Sequence, residues 1–380
     1  MTDTPSDTDG PRTRLEEGAE TIRRHVRTMP ATPGVYRMLN KAGDVLYVGK
    51  AKALKKRVVS YTRVQALPLR LQRMVAETVG MEIVTTETEA EALLLEASLI
   101  KRFRPRYNIL LKDDKSFPYI LITSDHAWPR IVKHRGARST PGRYFGPFAS
   151  VGAVNHALSA LQRAFLLRSC TDAVLETRTR PCLLYQIKRC AAPCADRVEA
   201  DDYRALVKQA EAFLSGRSRE IQQQLAGRME AAAEELDFED AAVYRDRIRA
   251  LSRVQAEHDV ALPDMDDADV IALHQAAGES CIQVFFFRGG CNYGTRAYYP
   301  RHAVEEEAPQ VLAAFLGQFY ADKIPPAEIL LSHTPGQREV LAEALSVKAE
   351  RKVRLAVPQR GDRRKLVEHG LTNAREALGR

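Results

Sequence analysis

Short apolar runs set between turn residues open the first readable unit of the chain. Val35 to Leu39 and Val45 to Val48 are β-branched and aromatic stretches, and Lys41-Ala42-Gly43-Asp44 between them is turn material. An antiparallel hairpin is predicted. Gly49 is expected to end its second strand, and Ala51 to Tyr61 to form a helix, with Lys50, Arg57 and Tyr61 seven and four residues apart on one face. A helix from Leu67 to Val79, a strand from Met81 to Thr86 and a helix from Glu89 to Phe103 behind a Thr88/Glu91 capping box follow, and Arg104-Pro105 stops the last one. Arg106 to Leu111 reads as extended. These elements define a unit of residues 31–115, preceded by a flexible tail over residues 1–20.

Beyond it, residues 116–216 read as a linker and helical region: two extended stretches, YILIT and PRIVK, a Gly/Pro-rich GRYFGPFAS, and a helix from Val151 to Leu166. Residues 217–254 show two amphipathic helices. Leu225, Met229, Ala232 and Leu236 recur at helical spacing in the first, and Ala241, Tyr244, Ile248 and Leu251 in the second. Only Asp237-Phe238 separates them, so they should form an antiparallel pair. Residues 266–380 alternate strands (Val270–His274, Ile282–Phe287, Thr295–Tyr299, Glu328–Leu331, Arg354–Ala356) with helices (Val304–Tyr320, Gly336–Lys348), an α/β domain. The predicted class is α+β with several domains.

The 380 residues hold 57 basic and 49 acidic side chains, a modest push toward polyanions. Placement says more: between Lys41 and Arg73 there are nine Lys or Arg and one acid, Asp44. That density beside the tyrosines fits a phosphate backbone, and equally a solvated basic helix face. The start lacks a basic segment leading into an apolar one, and no apolar run reaches the length of a membrane span, so a cytoplasmic protein without a membrane partner is expected. Cys170, Cys182, Cys190 and Cys194, spaced C-x11-C-x7-C-x3-C, lack paired zinc knuckles and ordered histidines. They fit S4 ligation of zinc or an iron-sulfur cluster, or unligated thiols.

The ordered set GVY at 34–36, YVG at 47–49, Lys50, Arg57 and Tyr61 resembles the GIY-YIG nuclease motif as carried by the UvrC family of excinucleases. The stretch GRMEAAAEELDFEDAAVYRDRIRAL, 227–251, resembles that family's UVR motif. The resemblance runs over essentially the entire chain. It implies a metal-dependent DNA endonuclease of nucleotide excision repair, cutting 3′ to a lesion in double-stranded DNA. Tyr36, Tyr47, Lys50, Arg57, Tyr61, Glu96 and Asn108 would be its catalytic residues, with Mg or Mn on Glu96, Tyr47 as base and Tyr36 orienting it. Glu96 taken by itself, the lone acid of ALLLEASLI, would equally be a solvated edge residue. Lys50, Lys52, Lys55, Lys56, Arg57 and Arg63 would contact DNA. The family's 4Fe-4S cluster would sit on the four clustered cysteines, with zinc as the alternative. Leu225, Met229, Leu236, Phe238, Tyr244, Ile248 and Leu251 would bind UvrB. Residues 266–380 would lead into an RNase H-like catalytic part that lies beyond a truncated chain. The competing readings are a stand-alone GIY-YIG nuclease and a DNA-binding adaptor whose nuclease unit is idle.

Overall fold

The computed structural model describes residues 13–111, 117–256, 265–289, 291–302 and 304–379. Its first element corrects the flexible tail: α1 (Arg14–Thr28) starts at a reciprocal capping box of Thr13 and Glu16 and buries Ala19, Ile22 and Val26. Those residues repeat at helical spacing. Gly18 lets the helix touch the backbone of Val75, where a Cβ would fall 1.8 Å from the carbonyl oxygen. Residues 1–12 of the expected tail lie outside the described residues.

The predicted hairpin forms. β1 (Gly34–Leu39) lies between β2 (Val45–Ala51) and β3 (Gly80–Thr85), antiparallel to both. Gly49, however, does not end β2, which pairs on through Lys50 and Ala51 with Val35 and Gly34. The following helix α2 is short (Leu54–Val59), and Tyr61 stands in a 3-10 turn after it. Lys50 is therefore a strand residue and shares no helical face with Arg57 and Tyr61. Helix α3 (Leu69–Glu77) packs on α1. Helix α4 (Glu89–Phe103) has the predicted bounds: Thr88 Oγ1 accepts the Glu91 N–H, while the Glu91 carboxylate accepts from Glu87 N–H rather than closing the box on Thr88. Its apolar face, Ala92 and Ile100, covers Val35 and Val48. Residues 106–108 turn instead of extending, and Leu110 makes an isolated antiparallel bridge with Arg301.

In the middle region the Gly/Pro-rich stretch is a strand, giving a sheet of β4 (Pro118–Thr123) between β5 (Ile131–Arg135) and β6 (Gly142–Phe145). Helices α5 (Val151–Phe165), α6 (Asp172–Thr177), α7 (Leu183–Gln186) and α8 (Ala200–Leu214) follow. Helices α9 (Ser218–Glu234) and α10 (Phe238–Ala256) form the expected pair, joined through Leu236 at φ 62° and an Asp237 side chain that accepts the Asp240 N–H.

The last domain is a mixed sheet. β7 (Ala268–Ala276), β8 (Glu279–Arg288) and β9 (Cys291–Tyr298) form an antiparallel meander. β10 (Glu328–Leu331) then joins β7 in parallel and β11 (Arg354–Ala356) joins β10, giving the order β11-β10-β7-β8-β9. Helices α11 (Ala308–Phe319), α12 (Arg338–Ala349) and α13 (Gly361–Leu378) complete it. The main core runs from Ala90 and Leu93 of α4 through Phe148, Phe165 and Leu251 to Phe286, Phe315 and Leu331. The units are thus welded through shared apolar surface rather than strung on linkers.

Candidate nuclease site

The site is built on β1, β2, the turn after α2, and α4. Tyr36 leaves β1 fully buried, and its hydroxyl lies 2.8 Å from that of Tyr61, also buried. Tyr47, half-buried on β2, packs against both, with ring centroids 6.2 and 6.4 Å away. The glycines of the two triplets make this packing possible. A Cβ on Gly49 would stand 2.4 Å from the Tyr36 hydroxyl oxygen and 2.9 Å from the Tyr47 ring, and one on Gly34 would stand 2.4 Å from the Val84 carbonyl oxygen. Arg57 sets its guanidinium 5.4 Å from the Tyr61 ring centroid and donates from Nη2 to the Tyr61 hydroxyl at 3.4 Å.

Glu96 approaches from α4, where Oε1 accepts the backbone N–H of Lys50 at 2.9 Å. Burial raises its carboxyl to about 7, against the opposing pull of Lys50 and Arg57. Asn108 is buried and clasps the same free edge of β2: Oδ1 accepts the Val48 N–H at 2.9 Å and Nδ2 donates to the Val48 carbonyl at 2.8 Å. Both protonatable tyrosines of the triplets are pushed well above the ordinary phenol value, Tyr36 chiefly by burial and Tyr47 chiefly by the neighbouring Tyr61. Arg57 pulls both down, but it is outweighed.

Sequence reading missed Glu89. It lies seven residues before Glu96 on α4, and its Oε1 accepts from Lys50 Nζ at 2.8 Å, so Lys50 is held at its backbone by one carboxylate and at its ammonium by the other. The Lys50 side chain is only 8% exposed and is occupied by that pair, whereas Lys52, Lys55, Lys56 and Arg63 are exposed and form no ion pair among the described residues. The signal was an acid in the first turn of α4.

The four clustered cysteines converge. Cys190 is buried and the other three half-buried, and the Ala192 N–H points at Cys190 Sγ at 3.4 Å. Burial, with the other three sulfurs adding to it, pushes the Cys190 thiol up to about 11. Among the described residues no group of three or more His, Cys, Asp or Glu is arranged to hold a metal ion. Arg168, two residues before the first of these thiols, is fully buried and donates to Trp128 O, Cys170 O and Asp172 Oδ1.

The residues expected to bind a partner divide in two. Leu225 and Leu251 are buried, and Tyr244 and Ile248 pack on the same core, because α10 lies along α5. Four of the residues expected to bind UvrB, Leu225, Tyr244, Ile248 and Leu251, are thus covered by the chain itself. Met229 is half-buried, while Leu236 and Phe238 at the tip are 72% and 67% exposed.

In the last domain the acid at the centre of the sheet, Asp269 on β7, is 1% exposed and engaged by Arg288 at 2.7 Å and the Tyr320 hydroxyl at 2.6 Å. No helix among the described residues is long and apolar enough to cross a membrane.

Four family models match in series. They are the UvrC-like GIY-YIG domain at 32–109, the UvrC/Cho excinuclease middle domain at 117–213, the UvrB/uvrC motif at 219–254 and the UvrC ribonuclease H-like domain at 267–380. The last thus begins within the α/β domain rather than beyond it. The chain is 65% identical over 375 residues to the UvrABC system protein C of Paramagnetospirillum magneticum, covering 99% of this chain and 60% of that protein. It is 61% identical over 363 residues to that of Rhodospirillum rubrum, with 96% and 57% covered. It therefore spans little more than half the length of these curated relatives. The solved GIY-YIG N-terminal endonuclease domain of UvrC from Thermotoga maritima, bound to magnesium, is 40% identical and covers 23% of this chain and 97% of that one, at a TM-score of 0.22. With the family's four domain models matching in order from residue 32 to residue 380 and relatives of that family 65% and 61% identical over nearly the whole chain, the chain belongs to the UvrC family.

Proposed function

We propose that the chain carries the endonuclease that cuts a damaged DNA strand 3′ to the lesion in nucleotide excision repair, using Mg or Mn and recruited by UvrB through the tip of the α9–α10 pair. The observation that carries this reading is the convergence around β2 of Tyr47, its ring 6.4 Å from that of Tyr61, of Arg57, which donates to the Tyr61 hydroxyl, and of Glu96, which accepts the Lys50 N–H. Hydrolysis needs a water stripped of a proton, charge neutralisation at phosphorus and a stabilised leaving oxygen. The donor set fits a hard divalent cation: Glu96 is a desolvated carboxylate whose nearest ammonium, Lys50, is already spent on Glu89. A cation held there would neutralise the developing charge and the leaving oxygen. Tyr47 is the least enclosed of the three phenols, and its proton stays on at neutral pH, so it serves as a relay that accepts the water's proton while passing its own to bulk solvent at its exposed edge. Tyr36, locked to Tyr61, orients rather than reacts. Arg57 remains charged and offers its fork to the scissile phosphate. Lys52, Lys55, Lys56 and Arg63 would track the backbone.

The four thiols, though not arranged around a metal position among the described residues, are proposed to bind one 4Fe-4S cluster through Cys170, Cys182, Cys190 and Cys194, with zinc as the alternative metal on the same thiols. Protein purified without oxygen should be brown, with about four iron per chain. Free thiols fit a reducing cytoplasm.

The deciding experiment is incision of a lesion-bearing duplex loaded with UvrB. Glu96→Gln should abolish metal-dependent cutting and leave DNA binding unchanged. Cutting at the wild-type rate would overturn the assignment in favour of a DNA-binding adaptor.

A further inference from the structure

Two primary amides, 210 residues apart in sequence, act in series on one stretch of backbone. Asn108 clasps Val48 of β2 through a donor and an acceptor. Immediately after it, Gln318 of α11 does the same to the chain: its Oε1 accepts the Leu111 N–H at 3.0 Å and its Nε2 donates to the Ile109 carbonyl at 2.8 Å. Between these bonds Leu110 exchanges both main-chain hydrogen bonds with Arg301, at 2.8 and 2.7 Å. Among the described residues, the hydrogen bonds that fix residues 109–111 in this register therefore come from the last domain. Gln318 is 6% exposed, set in the apolar run Phe315-Leu316-Gly317-Gln318-Phe319 of α11. A buried amide in such a run is retained at a desolvation cost that only its two partners offset. The same helix supports the other side of the site: the Gly317 Cβ position lies 3.6 Å from Ala97 and 3.9 Å from Leu93, the neighbours of Glu96 on α4.

We infer that Gln318 is a positioning residue of the nuclease site, holding Asn108 in register so that β2 presents Tyr47 and Lys50 to Glu96, and that the ribonuclease H-like domain thereby sets the activity of the first domain. The inference rests on the function proposed above and names a control on it. Asn108 is a short side chain whose two bonds to Val48 tolerate little slippage, and its own backbone continues directly into the segment that Gln318 fixes. Upstream, Tyr107 N–H is bonded to Leu46 O at 3.1 Å and Asn108 N–H to Pro105 O at 3.2 Å, so Asn108 is held from both sides. Releasing the downstream side removes one of its two anchors and loosens its grip on Val48, two residues before the Lys50 N–H that binds Glu96.

The test uses the full chain. Gln318→Met keeps the volume and removes both bonds; Gln318→Glu keeps the acceptor for Leu111 and serves where the Met variant fails to fold. Deuterium exchange should quicken about tenfold at 109–111 and also at 46–50, the scale of one lost hydrogen bond. Fast exchange at 109–111 with 46–50 unchanged would overturn the inference. In the incision assay with UvrB and Mn, kcat should fall about tenfold with KM for DNA unchanged. The fall should vanish when Gln318→Met is made in an Asn108→Ala background. Additive losses would show that Gln318 acts by another route. If the wild-type chain does not cut at all, the nuclease assignment fails, while the exchange result still decides the coupling.

Discussion

The proton on Glu96 offers the sharpest test of the site. Its carboxyl rises from 4.5 to about 7 because burial outweighs Lys50 and Arg57, so a cation must compete with a proton there in the neutral range. Between pH 8 and pH 6 the ionised fraction falls from about nine-tenths to about one-tenth, and Mn affinity should fall about tenfold with it. Titration of Mn into the chain, followed by calorimetry or by the spin resonance of free Mn, measures this directly. Glu96→Gln should bind weakly at every pH and lose the slope. The sign extends to stability. A raised carboxyl means that the folded unit holds this proton more tightly than the unfolded chain, so without a cation the nuclease unit loses stability as pH rises from 4.5 to about 7. Adding Mn at pH 8 should restore it. Affinity that stays flat from pH 5.5 to 8, or a midpoint near 4.5, would refute the burial argument and place Glu96 in open solvent.

Gly49→Ala forces a Cβ to within 2.4 Å of the Tyr36 hydroxyl oxygen. Overpacking with a strained tyrosine pair should cost about 1–3 kcal/mol in the nuclease unit, read as faster exchange over 34–51, while Gly227→Ala, which meets nothing within 4 Å on exposed α9, should stabilise by up to about 1 kcal/mol. Leu251→Ala should cost about 2–5 kcal/mol as a buried truncation. Phe238→Asp at the exposed tip should change stability by under about 0.5 kcal/mol yet abolish capture of UvrB in a pull-down; retained capture would move the docking surface elsewhere. Arg57→Ala should lower the incision rate at least tenfold, roughly the cost of one lost charged donor at a transition state, with little change in DNA affinity.

Elements governed by near neighbours were legible in the chain. The β1–β2 hairpin follows from its turn residues, α4 from the Thr88 cap and the Arg104-Pro105 stop, and the α9–α10 pair from apolar spacing broken only at Asp237-Phe238. Tyr36, Tyr47, Arg57, Tyr61, Glu96 and Asn108, read from their order in the chain as one set, do come together around β2. Which groups each of them touches was not. Lys50 lies on a strand because β1 offers it a pairing partner in Val35, and its ammonium goes to Glu89 because α4 crosses β2 at that point. Helical spacing marked Leu225 and Leu251 as needing cover without saying what supplies it, and α5 is the answer. Nothing local marks Arg168 as a buried side chain; three acceptors brought together by the fold surround it in the interior. Local sequence fixes backbone direction within a few residues through caps, turns and periodicity. The electrostatic state of Glu96 and the register of Asn108 depend on burial and on partners such as Gln318, which only chain folding brings within a hydrogen bond's reach.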